Sequence, residues 1–248
     1  MTRPTLLVLD FDGVICDSVD EAFLSSWTAY HGLYRKDEPT AVPVTLHRDF
    51  ARLRPFIRTG EDFVLIQDLL ASGKTVGSQP QFDEALRLVG EDTRALFKEI
   101  FYQARTRLLE TERPLWLSLN RIYPHVGKAL RMMAGSKDYF VLSTKKPQFI
   151  GEILVSHDLP VPQERILYSV REPKLTTTER LRSEGGYRTA ILVEDQIDHI
   201  RNNSNPRVEV RLATWGYVKP EWLAPPVAVP LVTPDEFVAL VKRLLTEE

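Results

Sequence analysis

The chain has a single cysteine, Cys16, among 248 residues. An intrachain disulfide is therefore excluded, and so is a zinc site built on thiolates. Charge of either sign is scarcely in excess: 32 Lys and Arg stand against 34 Asp and Glu, a formal net charge of −2. That balance gives no electrostatic basis for holding nucleic acid or an anionic membrane. No apolar run approaches the ~18 residues that span a bilayer. The apolar stretch near the N-terminus stops at Asp10, too short for the hydrophobic region of a signal peptide. No repeat or low-complexity tract is visible, and His47, His125, His157 and His199 share no metal-like spacing. With 43% hydrophobic residues a sizeable core can form, and Cys16, in an apolar stretch, is read as part of it. The expectation is a cytoplasmic enzyme or binding protein, without a nucleic-acid or membrane partner. Oligomeric state leaves no signature.

Short apolar, β-rich runs do recur: TLLVLD (5–10), YFVLST (139–144), ILYS (166–169), TAILVE (189–194) and VEVRLA (208–213). They are continuous rather than alternating, the pattern of strands buried on both faces. Helical patterns separate the last four, so strands and helices alternate. This predicts a Rossmann-like, doubly wound parallel sheet with right-handed crossovers. Helix starts are marked at Ser18-x-x-Glu21, at Thr176-x-x-Glu179 and at Thr233-Pro234-Asp235-Glu236.

Residues 19–123 interrupt the alternation. They carry long helical patterns, including EDFVLIQDLLASG and an unbroken DEALRLVGEDTRALFKEIFYQARTRLLE, punctuated by Pro39, Pro43, Pro55, Pro80 and Pro114. The division is thus an α/β core of 1–18 and 124–248 with an inserted all-helical cap of 19–123. Phe97, Phe101 and Trp116 are assigned to the cap's own core.

The chemistry concentrates where strands end, because ligands of open parallel sheets bind beyond the carboxyl ends of the strands. The first strand runs into Asp10-Phe11-Asp12-Gly13. Two carboxylates two residues apart at the tip of a buried strand repel each other and are costly to desolvate, so water or a cation must offset them. The later tips offer Ser143-Thr144-Lys145-Lys146, Glu172-Pro173-Lys174, and Glu194-Asp195 with Asp198. Carboxylates, hydroxyls and ammonium groups together suit a hard cation and an anion such as phosphate.

In DFDGVICDS, STKKP, a downstream lysine before a helix, and the acidic cluster VEDQID, the chain resembles the haloacid dehalogenase-like (HAD) hydrolase superfamily. ATWGY (213–217) is similar to the segment after the fifth strand in that family, and an insertion after the first motif is where it carries a helical C1 cap. The resemblance implies a phosphatase acting on a small phosphate monoester through an aspartyl-phosphate. Asp10 is then the nucleophile, and Asp12 the general acid and base, which also argues against dehalogenation. Thr144 binds the phosphate, with Ser143 the competing hydroxyl, and Lys174 neutralises the aspartyl-phosphate. Mg²⁺ is held by Asp10, the backbone carbonyl of Asp12, and the acidic cluster. Gly13 gives the backbone room to turn.

The fourth motif departs from the family's Gly-Asp or Asp-Asp: Glu194 takes the first place and Asp198 follows Asp195 by only three residues. Either Asp195 is the ligand, with a shortened turn after it, or Glu194 reaches in and Asp198 keeps the four-residue spacing. We favour Asp195, with Glu194 a possible second ligand and Asp198 orienting Lys174. Lys145 and Lys146 are assigned to solvated surface. Two rivals stand beside the phosphatase: a phosphomutase using the same chemistry, and a silent binding protein that kept the fold.

Overall fold

The structure, a computed structural model, describes residues 3–34, 44–159, 161–226 and 229–246. Pro39 and Pro43, read above as breaks in the insertion, lie outside them. The chain divides into two compact units, one of residues 1–17 and 121–248, the other of residues 18–120. The first unit opens with β1 (Arg3–Leu9) and β2 (Cys16–Asp17). The second holds α1 (Val19–Tyr34), α2 (Val44–Leu53), α3 (Gly60–Ala71), α4 (Gln79–Val89), α5 (Glu91–Thr111) and α6 (Arg113–Ser118). The first then resumes with β3 (Arg121–Ile122), α7 (Pro124–Met132), β4 (Tyr139–Ser143), α8 (Pro147–Ser156), β5 (Ile166–Tyr168), α9 (Lys174–Glu184) and β6 (Tyr187–Glu194). It ends with β7 (Val208–Ala213), α10 (Pro220–Leu223), β8 (Leu231–Val232) and α11 (Pro234–Thr246).

Six strands form one sheet in the order β5-β4-β1-β6-β7-β8, and every pairing within it is parallel. The predicted fold class therefore holds. Leu6, Leu7, Val8 and Leu9 are all buried, because β1 sits in the middle of the sheet with helices on its faces; hence the unbroken aliphatic run. From β1 the chain first builds outward through β4 and β5, then returns to the other side of β1 for β6, β7 and β8. The order thus reverses at β1, whose carboxyl end is the switch point of the sheet. Among the described residues, no helix is long and apolar enough to cross a membrane.

Three local features differ from the sequence reading. The sheet has a sixth strand, β8, and β2 pairs antiparallel with β3 to make a separate hairpin; each of these strands is only two residues long, too short for a periodic pattern to show. The crossover helix α9 begins at Lys174, after Pro173, so Thr176 lies inside it rather than at its cap. The long pattern 83–110 is two helices, parted at Gly90, whose φ of +83° is a left-handed conformation that favours glycine. Thr233 and Glu236, in contrast, do form the reciprocal cap of α11.

The helical unit has its own core. Phe97, Phe101 and Trp116 are buried in it, and Phe63 stacks on Phe101 with ring centroids 4.8 Å apart. Beneath these rings, Glu21 and Arg105 form a buried ion pair.

Candidate active site

The parallel register builds the centre of the site. Leu9 pairs with Val193, so the next residue of each strand, Asp10 and Glu194, emerge side by side. The Asp10 amide extends the ladder by donating to the Val193 carbonyl at 3.0 Å. Asp195 follows directly. Carboxylate oxygens of Asp10, Glu194 and Asp195, all buried, lie within 4.8 Å of one another.

One buried ammonium meets this cluster. Lys174 Nζ is 2.7 Å from Asp10 Oδ1 and 2.5 Å from Glu194 Oε2. Burial alone would drive off the Lys174 proton, but Asp10 and Glu194 outweigh it and hold the proton well above the usual lysine range. Burial would likewise raise Glu194, yet Lys174 and His199 outweigh it and keep Glu194 ionised well below the carboxylate range. Asp10 takes up the imbalance. Burial, reinforced by the Glu194 charge and only partly opposed by Lys174, pushes its carboxyl up to about 7.

Glu194 is gripped from both sides. Its Oε1 accepts the backbone amides of Asp195 at 3.2 Å and Gln196 at 3.0 Å, and Oε2 faces Lys174 and, at 3.3 Å, His199 Nδ1. Glu194 thus supports Lys174 directly, and Asp198, expected in that role, forms an ion pair with Arg201 in the short turn after β6. Asp195 accepts the Tyr217 amide on Oδ2 at 2.8 Å.

Past Asp10 the chain turns back through Phe11–Cys16, with the Phe11 carbonyl accepting the amides of Ile15 and Cys16. Gly13 sits in this turn at φ +87°, and a Cβ there would lie 1.9 Å from Asp195 Oδ2. Gly216, in the loop after β7, is equally confined: a Cβ would lie 2.4 Å from Asp195 Cβ and 2.5 Å from the Gly13 carbonyl. Because the second contact is backbone, nothing can swing aside. Gly216→Ala is expected to cost about 1–3 kcal/mol of stability, read by thermal melts; a wild-type melting temperature would contradict the crowding.

Lys145 is the residue that sequence reasoning misplaced. It is 2% exposed rather than at the surface, and its Nζ is 2.8 Å from Asp12 Oδ1. Nothing in STKKP distinguishes a lysine that turns inward from one that turns to water. His199 escapes the sequence reading too, since three-dimensional proximity to Glu194 leaves no spacing signal. Thr144 follows β4, the strand beside β1, at the same end of the sheet and is half-buried. Cys16 is buried.

Three close, buried carboxylates against one ammonium leave an excess of negative charge, and oxygen donors of this kind fit a hard divalent cation. Asp10, Glu194 and Asp195 are the side chains that could hold it.

No protein-family model matches the chain, and no curated protein matches it. Solved structures do. A predicted phosphoglycolate phosphatase from Haemophilus somnus is 18% identical, with a TM-score of 0.59 over 98% of this chain and 99% of that one. A HAD-superfamily hydrolase of subfamily IA from Geobacter sulfurreducens is 15% identical, with a TM-score of 0.54 over 96% of each chain. A haloacid dehalogenase-like family protein from Streptococcus pneumoniae is 14% identical, with a TM-score of 0.53 over 96% and 98%. The chain has the fold of HAD-superfamily hydrolases across nearly its whole length.

Proposed function

We propose that the protein is a Mg²⁺-dependent phosphatase that hydrolyses a small phosphate monoester through an aspartyl-phosphate on Asp10. One observation carries this reading: three buried carboxylates and Lys174 converge at the tips of the two central strands. A fold kept only as a scaffold gains nothing from so costly a charge cluster. The HAD fold of the structural neighbours supports the same assignment.

Asp10, Glu194 and Asp195 would hold the cation, with the Asp12 carbonyl, and when bound it screens the repulsion between the Asp10 carboxylate and the phosphate dianion. Lys174 neutralises charge on Asp10 and keeps its carboxylate in one orientation. Thr144 donates its hydroxyl to a phosphate oxygen. In the first half-reaction an Asp10 oxygen bonds to phosphorus as the ester P–O bond breaks. The bridging oxygen takes a proton from Asp12, so the alcohol leaves neutral and Asp12 is left a carboxylate. In the second half-reaction a water oxygen bonds to phosphorus as the Asp10–phosphorus link breaks. Asp12 takes the water's proton and is restored.

An aryl phosphate assay with and without Mg²⁺ tests the reading, followed by a panel of phosphorylated metabolites. Phosphoglycolate, named for one structural neighbour, comes first on that panel. The expected result is metal-dependent release of inorganic phosphate that stops on chelation. Turnover of none of these esters under Mg²⁺ or Mn²⁺ would overturn it.

A further inference from the structure

Lys145 has no part in the roles above, yet it is as deeply buried as Lys174. It follows the β4 tip and Thr144, and its stem is fixed at the backbone, where the Lys145 amide donates to Ser143 Oγ at 3.2 Å. Its ammonium lies 5.5 Å from the centroid of the Phe11 ring and 2.8 Å from Asp12 Oδ1. A buried ammonium loses hydration that its partners, the Asp12 carboxylate and the Phe11 ring among them, must replace. The bond joins the tip of β4 to the turn that follows β1. Asp12 lies in that turn, past the end of β1 at Leu9 and beyond the ladder hydrogen bonds that fix Asp10.

We infer that Lys145 is a positioning residue that clamps the Asp12 carboxyl in the orientation needed to pass a proton to the departing oxygen. The inference rests on the phosphatase reading and adds to it a second lysine with a separate role. Lys174 serves the nucleophile, and Lys145 serves the proton carrier. A misplaced proton donor matters in proportion to the need for it. An alkyl ester leaves as a strongly basic alkoxide unless protonated, whereas p-nitrophenolate leaves readily without help.

The test compares kcat/KM of Lys145→Met with wild type on an alkyl phosphate from the substrate panel and on p-nitrophenyl phosphate. The expected loss is about 10²-fold on the alkyl ester and less than about 10-fold on the aryl ester, carried by kcat with KM little changed. In the Asp12→Asn background, adding Lys145→Met is expected to cost little more, because the two side chains act as one unit. Equal losses on both esters, a rise in KM alone, or full additivity with Asp12→Asn would each overturn the clamp. Lys145→Gln, which keeps a donor of similar reach, serves the same comparison if the Met variant melts below the assay temperature, and a partial loss with the same ester bias is expected. A crystal structure of the variant reads the property without turnover: Asp12 is expected to leave its wild-type rotamer, and an unmoved Asp12 would sink the inference. A wild type inactive on every ester would instead count against the phosphatase reading, and the crystallographic comparison would still decide the clamp.

Discussion

Asp10→Asn is expected to abolish turnover while making the metal-free protein more stable at pH 8. Asparagine keeps the size of the side chain and can accept from Lys174, but its amide cannot attack phosphorus. Loss of a nucleophile of this kind costs on the order of 10⁴- to 10⁶-fold in kcat. The stability gain follows from the carboxyl that is removed. Burial and the neighbouring Glu194 raise Asp10 to about 7 from an ordinary 3.8, so between these values the folded chain holds a proton that the unfolded chain has released. The stability this contributes is fully present below about pH 4, falls as pH rises through about 7, and is gone above it. Glu194 is depressed and titrates only at lower pH, so between pH 5 and 8 Asp10 dominates the cluster's slope. At one pKa unit per ~1.4 kcal/mol, the slope amounts to a few kcal/mol, or several degrees in melting temperature. Thermal melts in EDTA at pH 5 and pH 8 are expected to show a difference between variant and wild type that grows with pH, and added Mg²⁺ to stabilise wild type more than the variant. A variant that melts earlier than wild type at pH 8, or one that keeps its phosphatase activity, would contradict the assignment.

The carboxylates of that cluster are visible in the sequence because strand ends of a parallel sheet are marked by composition: aliphatics stop and polar residues start. Asp10 and Glu194 can be placed at tips, and the β1–β6 register then sets them beside each other. The tips do not reveal direction. Lys145 and Lys146 are equal in sequence, and only the packing of β4 against the turn after β1 turns Lys145 inward to Asp12. The division of labour in VEDQID is hidden for a related reason. Asp198 pairs with Arg201 beside the short turn Ile197–His199, and Glu194 holds Lys174. The β2–β3 hairpin and β8 escape because two residues carry no period. Gly90 is a readable break, but the amphipathic pattern on both sides of it obscures the boundary between α4 and α5.

The pair buried in the helical unit leads to the other large expected effect. Glu21 is wholly buried. Its Oε1 accepts from Arg105 Nε at 2.8 Å and from Ser25 Oγ at 2.7 Å, and Oε2 accepts from Arg105 Nη2 at 2.7 Å. The guanidinium also lies over Phe101, 4.4 Å from its centroid. This two-point geometry ties α1 to α5 across 84 residues of sequence. Arg105→Met leaves a carboxylate in a space that water does not reach, and is expected to destabilise the unit by about 3–5 kcal/mol. Glu21→Leu removes the guanidinium's two-point carboxylate partner and is expected to cost a similar amount. The double variant removes both charges and replaces them with apolar bulk of similar size, so it should recover most of the loss. Urea denaturation followed by tryptophan fluorescence can read this, since Trp27 and Trp116 belong to the helical unit and Trp215 and Trp222 to the α/β unit. If the two single losses simply add in the double variant, the pair contributes nothing as a pair, and the anchoring of α1 to α5 must come from the aromatic packing around it.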